Sequence, residues 1–252
     1  MRIGLIGAGN MASALARGWG EPLLVFDVDT TRAEALASDI GGEVAKSNAE
    51  LAERADVVVL AHKPAQLEDV CAQTEGKARA IVSILGGTRL EAVERAYPDR
   101  PVYRFIPNIP AEVGHGVFCY APGRRASHGP EAEVLALFER LGTVITLPEP
   151  LIEPATALMS CGPAFLAVVV EALTDAGVRH GLPAREAGRM AVETMAGTAK
   201  YLQEHDLDTL ELRRRVTSPG GITARGLEEL EQRGLRSAFD GAVDAVVERT
   251  RT

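Results

Sequence analysis

The 252-residue chain carries 35 acidic against 27 basic residues, a formal net charge of −8, with 46% hydrophobic and 25% charged residues. Such a balance describes a globular protein with enough length to bury a substantial core, as one large domain or two smaller ones. It argues against a binder of nucleic-acid backbone, which needs a basic stripe to displace counterions.

In chain order, residues 3–7 (IGLIG) predict a buried strand, followed by a glycine turn and a helix to about Trp19. LLVFDVD (residues 23–29) predicts a second strand and TTRAEALASDI a helix; ADVVVLAHKP (residues 55–64) predicts a third strand, ended by Pro64. RAIVSILGG, PVYRFIPNIP, GVFCYAP and GTVITLPE add further strands, with helical patterns among them, PEAEVLALFERL being one. Continuous Val/Ile/Leu strands alternating with helices imply an α/β fold whose doubly wound parallel sheet is buried on both faces. This first domain, residues 1–150, ends near the proline-rich LPEPLIEP.

Strand patterns vanish over residues 151–252, which predict an all-α second domain. GPAFLAVVVEALTDAGVRHGLP has Pro163 near a first helical turn and closes at Gly181. From Ala164 to Leu173 it is apolar nearly all round, and the next helix places Ala187, Met190, Ala191, Thr194, Met195 and Thr198 on one stripe, read as core packing. So much apolar helix in so small a domain implies burial against a second copy, a homodimer. Glu171 and Asp175 interrupt the longest apolar run, so no membrane span is expected. The opening MRIGLIGAG reads as a strand rather than a leader, which points to a cytoplasmic protein. Arg213–Arg215 read as the solvated last turn of a helix, where cations suit the dipole. The three cysteines, Cys71, Cys119 and Cys161, are too scattered for a disulfide framework, and the five histidines lack metal-ligand spacing, so no metal is expected.

Two motifs carry chemistry. GLIGAGNMASALARG places Gly7, Gly9 and Ala12 in the G-x-G-x-x-A spacing, directly after a strand and before a helix. Gly7 permits the tight turn, Gly9 lets backbone approach a pyrophosphate, and Ala12 lets helix and strand pack closely. Asp27, twenty positions after Gly7, is placed to accept hydrogen bonds from a ribose and to repel a 2′-phosphate. Asp29 adds a second negative charge, so NAD(H) is favoured over NADP(H), which stays possible; the alternative for Asp29 is a helix cap. The second motif is TSPGGITARGLEELE, in which Ser218–Gly221 break structure just before a helix start. Such a turn is either a connector or a site where backbone N–H groups hold an anion.

In its blocks IGLIGAGNMASAL, LAHKPAQ, VSILGG, RFIPNIPAEVGHG, SCGPAF, EALTDAGVRHGLPAREA and VTSPGGITARGLEELEQRGLR, the chain resembles the pyrroline-5-carboxylate reductases over nearly its whole length. The resemblance implies a Rossmann domain plus a helical domain that intertwines into dimers, and the reduction of 1-pyrroline-5-carboxylate to L-proline by hydride from NAD(P)H. It implies that backbone at Gly7, Gly9, Asn10 and Met11 holds the pyrophosphate. Asn48, the Ala61-Lys63-Pro64 turn and Ile84, Leu85 and Gly86 would line the rest of the nucleotide site, with Lys63 orienting the cofactor rather than moving protons. Ser218, Gly220, Gly221, Ile222 and Thr223 would hold the substrate, N–H groups binding its carboxylate and the Thr223 hydroxyl meeting the ring nitrogen as the one catalytic side chain. The chain departs from the family pattern in having His62 where Val is common, Met159, Cys161 and Phe165 around the Gly-Pro-Ala helix start, and Ile222 for a frequent Thr. Reduction of another cyclic imino acid or small acid, or a non-catalytic nucleotide sensor, are the alternatives. The Pro-Gly-Gly loop weighs against the sensor, which needs no substrate anion site.

Overall fold

The structure, a computed structural model, describes the chain through residue 251 and side chains through residue 249. Among the described residues, eight strands form one sheet in the order β3-β2-β1-β4-β5-β6-β7-β8. They are β1 (Ile3–Ile6), β2 (Leu24–Phe26), β3 (Glu43–Val44), β4 (Val57–Leu60), β5 (Ile81–Ser83), β6 (Val102–Ile106), β7 (Gly116–Pro122) and β8 (Gly142–Thr146). The crossovers are α1 (Asn10–Trp19), α2 (Thr30–Ile40), α3 (Asn48–Arg54), α4 (Leu67–Thr74), α5 (Leu90–Ala96) and α6 (Glu131–Glu139). All pairings are parallel except β6 with β7. That exception follows from the short link, since only antiparallel neighbours can be joined without a crossover helix. Its turn is held by buried Asn108, whose Oδ1 accepts the Val117 N–H at 2.8 Å while its Nδ2 donates to the Met159 carbonyl at 3.0 Å.

The sheet separates two cores by strand parity. Val57 and Val59 of β4 enter one, Val58 and Leu60 the other, as side chains alternating on a doubly covered strand must. The first core is aromatic: the fully buried rings of Phe105 and Phe138 stack at 3.9 Å, and Trp19 meets Phe138 edge-on at 5.6 Å. Arg104 lies buried in β6 on the face that Val102 and Ile106 give to the second core, so its charge requires a partner. Glu149 supplies it through Oε1, which also accepts the Leu90 N–H at 2.8 Å.

Sequence patterning missed β3, whose two exposed edge residues show no period. The second strand stops at Phe26 rather than at 29, because the Asp27 carboxylate takes the Ala8 and Asp29 N–H groups and turns the chain.

Contacts divide the chain into two compact units, Met1–Pro163 and the remainder from Ala164. The approach to the second is helical: α7 (Ile152–Ala155) and a π-turn at Thr156–Ser160 lead into α8 (Gly162–Arg179). Four further helices follow, α9 (Ala184–Glu204), α10 (Thr209–Val216), α11 (Ile222–Gln232) and α12 (Leu235–Arg251). Arg213, Arg214 and Arg215 occupy the last turn of α10, as expected. No residue of α8 is buried, and Leu166, Val168 and Leu173 are half exposed or more. The α9 stripe is not the core of one chain: Ala187 and Ala191 are buried, whereas Met190, Thr194 and Thr198 lie exposed. The expectation that no run reaches membrane-spanning length is also corrected. Helical structure is continuous enough over Glu149–Arg179 for one stretch to qualify by length and composition. The acids at 171 and 175 do not prevent this, because the apolar window begins well before them.

Replacing Phe138 by Ala removes the ring on which Trp19, Phe105 and Phe118 all pack. The expected loss is about 3–5 kcal/mol of unfolding free energy in a urea titration. A loss below about 1 kcal/mol would remove this stack from the centre of the fold.

Candidate functional site

Three main-chain hydrogen bonds build a continuous rim along the carboxyl ends of the parallel strands. Gly7 donates to Phe26 at 2.7 Å, Ala61 to Ile6 at 2.8 Å, and Ile84 to Leu60 at 3.1 Å. Gly7 turns here with φ +108, and a Cβ on it would lie 2.6 Å from the Ala61 carbonyl oxygen, so only glycine fits. Gly9 is the N-cap of α1, with open space where a Cβ would project and no acidic residue in the first helical turn. The N–H groups of Asn10, Met11 and Ala12 have no intrahelical acceptor at such a start, which makes it a site for an anion.

A cleft of about 490 Å³ opens on this rim, lined by Gly7, Gly9, Asp27, Asn48, Ala61 and Lys63 among others. Pro64 is also on its wall, so Gly7, Gly9 and Asp27 from the glycine pattern meet Asn48, Ala61, Lys63 and Pro64 from the resemblance in one place, whereas Asn10 and Met11 are not among the lining residues. Asp29, Arg32, His62 and Gln66 line it as well, and of these Arg32, His62 and Gln66 had no site role from sequence. Ile84, Leu85 and Gly86 sit on the rim beyond β5 rather than on the cleft wall, and the Leu85 side chain is buried in the second core. Asp27 Oδ2 accepts the Ala8 N–H at 2.7 Å and Oδ1 the Asp29 N–H at 2.8 Å, so the carboxylate braces the glycine turn. Asp29 is indeed the N-cap of α2, and it also pairs with Arg32 at 3.2 Å.

Buried Asn48 donates from Nδ2 to Gln73 Oε1 at 2.8 Å but leaves Oδ1 without a partner. The His62 imidazole has Nδ1 2.9 Å from the Lys63 carbonyl oxygen, and its shielded Nε2 is also unpartnered. Burial lowers the His62 pKa, opposed by the Lys63 carbonyl, so the ring is neutral near pH 7.

In the second unit, α10 ends at Val216 with Thr217 as its C-cap, and Ser218–Gly221 turn the chain into α11. Pro219 and Gly220 occupy the turn's centre, Gly220 with φ +68, and the Gly221 N–H closes it on the Ser218 carbonyl at 3.0 Å. Gly221, not Thr223, caps α11; Thr223 is the second residue of the helix, and its hydroxyl is not spent on capping. The Ile222 side chain is 91% exposed. Sequence reasoning passed over Thr217, whose shielded Oγ1 has no hydrogen-bond partner. Among the described residues, no cluster of His, Cys, Asp and Glu could hold a metal ion.

The family profile described as pyrroline-5-carboxylate reductase dimerisation matches residues 149–252, and that of NADP oxidoreductase, coenzyme F420-dependent, matches residues 2–87. A pyrroline-5-carboxylate reductase of Synechocystis is 35% identical, over 99% of this chain and 97% of its own length. The chain belongs to the pyrroline-5-carboxylate reductase family. A Mycobacterium tuberculosis member is 36% identical over 99% of this chain and 95% of its own. A 1-pyrroline-5-carboxylate reductase from Streptococcus pyogenes superposes with a TM-score of 0.91 at 28% identity, covering 99% of this chain and 98% of that one. The Plasmodium falciparum pyrroline carboxylate reductase, solved with NADP bound, gives 0.87 at 28% identity, covering 99% and 97%. The reductase family membership thus gives this chain an NAD(P)-binding oxidoreductase fold followed by a dimerisation domain, which supports homo-oligomerisation.

The residues present fit a dinucleotide. The glycine turn leaves room for close approach, the start of α1 offers unpaired N–H groups, and Asn48 Oδ1 offers an acceptor without a donor. Gly7→Ala forces a Cβ against Ala61 at an unfavourable φ. The expected result is at least about a tenfold weaker NADH affinity by fluorescence titration. Affinity within about twofold of the parent would show that this turn does not shape the nucleotide site.

Proposed function

We propose that this chain reduces 1-pyrroline-5-carboxylate to L-proline, the final step of proline biosynthesis, with hydride from NAD(P)H. The observation that carries this reading is a full-length kinship with named pyrroline-5-carboxylate reductases in a chain that holds both a glycine-turn cleft and a Pro-Gly-Gly helix start. In this reading residues 1–150 bind the nucleotide and residues 151–252 hold the substrate and dimerise. When bound, the reduced nicotinamide supplies hydride to the imine carbon, and the chain's own residues position the partners.

Backbone at Gly7, Gly9, Asn10 and Met11 receives the pyrophosphate, Asp27 a ribose, and Asn48, Ala61, Lys63 and Pro64 the remaining nucleotide, with Ile84–Gly86 closing the rim. The turn through Ser218, Gly220 and Gly221 and the free N–H groups of Ile222 and Thr223 bind the substrate carboxylate. The Thr223 hydroxyl hydrogen-bonds the ring nitrogen whose charge changes during reduction, and the exposed Ile222 side chain offers an apolar contact to the ring. NADH is the preferred cofactor. Asp29 neutralises Arg32, the nearby cation that a 2′-phosphate would need, while Asp27 keeps a negative charge on the cleft wall. The exposed apolar side chains of α8 and α9 are covered by a second copy, and the protein works in the cytoplasm.

Incubating the purified protein with 1-pyrroline-5-carboxylate and either NADH or NADPH, with absorbance of the reduced nicotinamide followed, tests the reaction; no decrease with either cofactor overturns it. A catalytic efficiency about tenfold higher with NADPH would reverse the cofactor preference. Thr223→Ala should lower kcat/KM for the imine about 10- to 100-fold with NADH affinity unchanged, the loss of one hydrogen bond to a charged group. Full efficiency in a folded variant removes Thr223 from the chemistry. Sedimentation velocity should find a dimer or larger; a stable monomer would leave the α8 face unexplained.

A further inference from the structure

The turn after β4 contains a nitrogen with nothing to bind. A carbonyl oxygen can only accept, so the contact between His62 Nδ1 and the Lys63 carbonyl oxygen, 2.9 Å apart, fixes the proton on Nδ1. In the neutral ring Nε2 is then a bare acceptor, and it is shielded from solvent without a donor. A buried acceptor without a donor is unfavourable in an isolated chain. The same cleft wall carries a second one, Asn48 Oδ1, whose amide nitrogen is already committed to Gln73. Two unfilled acceptors on one wall call for a ligand that brings donors. Phosphates bring none; ribose hydroxyls and the amino groups of a base or carboxamide do.

We infer that His62 is a positioning residue for the dinucleotide, its neutral imidazole accepting through Nε2 a hydrogen bond from a hydroxyl or amino group of a nucleoside half. This rests on the reading of the cleft as the cofactor site. The charged groups lining the cleft with it are Asp27 and Asp29 after β2, Arg32 on α2, and Lys63 on its own turn. Arg32 is paired with Asp29, and burial outweighs the other influences on the ring, so the neutral form prevails near pH 7. Protonation converts Nε2 from acceptor to donor. The contribution of His62 to affinity is therefore present above the pKa of the bound ring and is lost as pH falls through it.

Equilibrium titration of NADH fluorescence against parent, His62→Val and His62→Gln tests this, with folding checked by circular dichroism. At about pH 8 His62→Val should bind NADH about 5- to 10-fold more weakly than the parent, one uncharged hydrogen bond lost. That advantage of the parent should shrink towards unity by about pH 5, while His62→Gln, which keeps an acceptor that does not titrate, should retain part of the affinity at every pH. Equal affinities of parent and His62→Val at about pH 8 overturn the inference, as does a parent advantage that grows on acidification, the mark of a donor to phosphate. If the parent itself binds neither NADH nor NADPH, the cofactor reading of the cleft falls, and this inference with it.

Discussion

The parallel strands end in a row of carbonyls and amides that must be paired or left facing the cleft, and the chain resolves this by stitching each departing turn to its neighbour strand. Gly7 bonds to the end of β2, Ala61 to the end of β1, and Ile84 to the end of β4. These bonds fix the height at which every loop leaves the sheet. A turn as tight as that at Gly7 brings β1 and α1 so close to Ala61 that no side chain intervenes. The cleft is what remains above this rim, which is why residues far apart in sequence, Gly9, Asp27, Asn48 and Lys63, share one wall.

The two units satisfy their hydrophobic side chains in different ways. The first sorts its residues by strand parity into two interiors, one of them centred on stacked phenylalanines, and places a single buried guanidinium against Glu149. In the second, α8 has no buried residue and α9 only two buried alanines. An isolated domain of that kind would expose an apolar surface large enough to associate. Its match to a dimerisation family supports homo-oligomerisation of the chain. The same composition makes Glu149–Arg179 resemble a membrane span by length and composition, since a helix wrapped by protein and one wrapped by lipid obey similar apolar rules.

Much of this was legible in the residues. Unbroken runs such as VVVL and IVS announce strands covered on both faces, and the order of strands and helices gives the doubly wound sheet. The glycine spacing located Gly7 and Gly9 at the start of α1, and the twenty-residue offset located Asp27. What the residues concealed depends on pairing in space. The edge strand Glu43–Val44 exists because Leu23 and Val25 offer carbonyls to it, not because of its own pattern. The cap of α11 was not assigned from the residues, and only the backbone shows Gly221 in that place, one residue before the helix begins. The unpartnered atoms of His62, Asn48 and Thr217 cannot be read from a string, because satisfaction of a polar group is a property of its surroundings.

Asp27 carries two duties that pull in different directions for any change of cofactor. Its carboxylate holds the Ala8 N–H of the glycine turn and the N–H of Asp29, so the group that in our proposal receives a ribose also keeps the glycine loop in shape. Removing its charge to welcome a 2′-phosphate would loosen the loop needed for either nucleotide. Asp29 is less entangled: its side chain caps α2 and restrains Arg32, and serine or asparagine caps a helix about as well. On the proposed NADH preference, the path by which a descendant of this chain would exchange one cofactor for the other runs through residue 29, where the released arginine stands ready and the fold loses little.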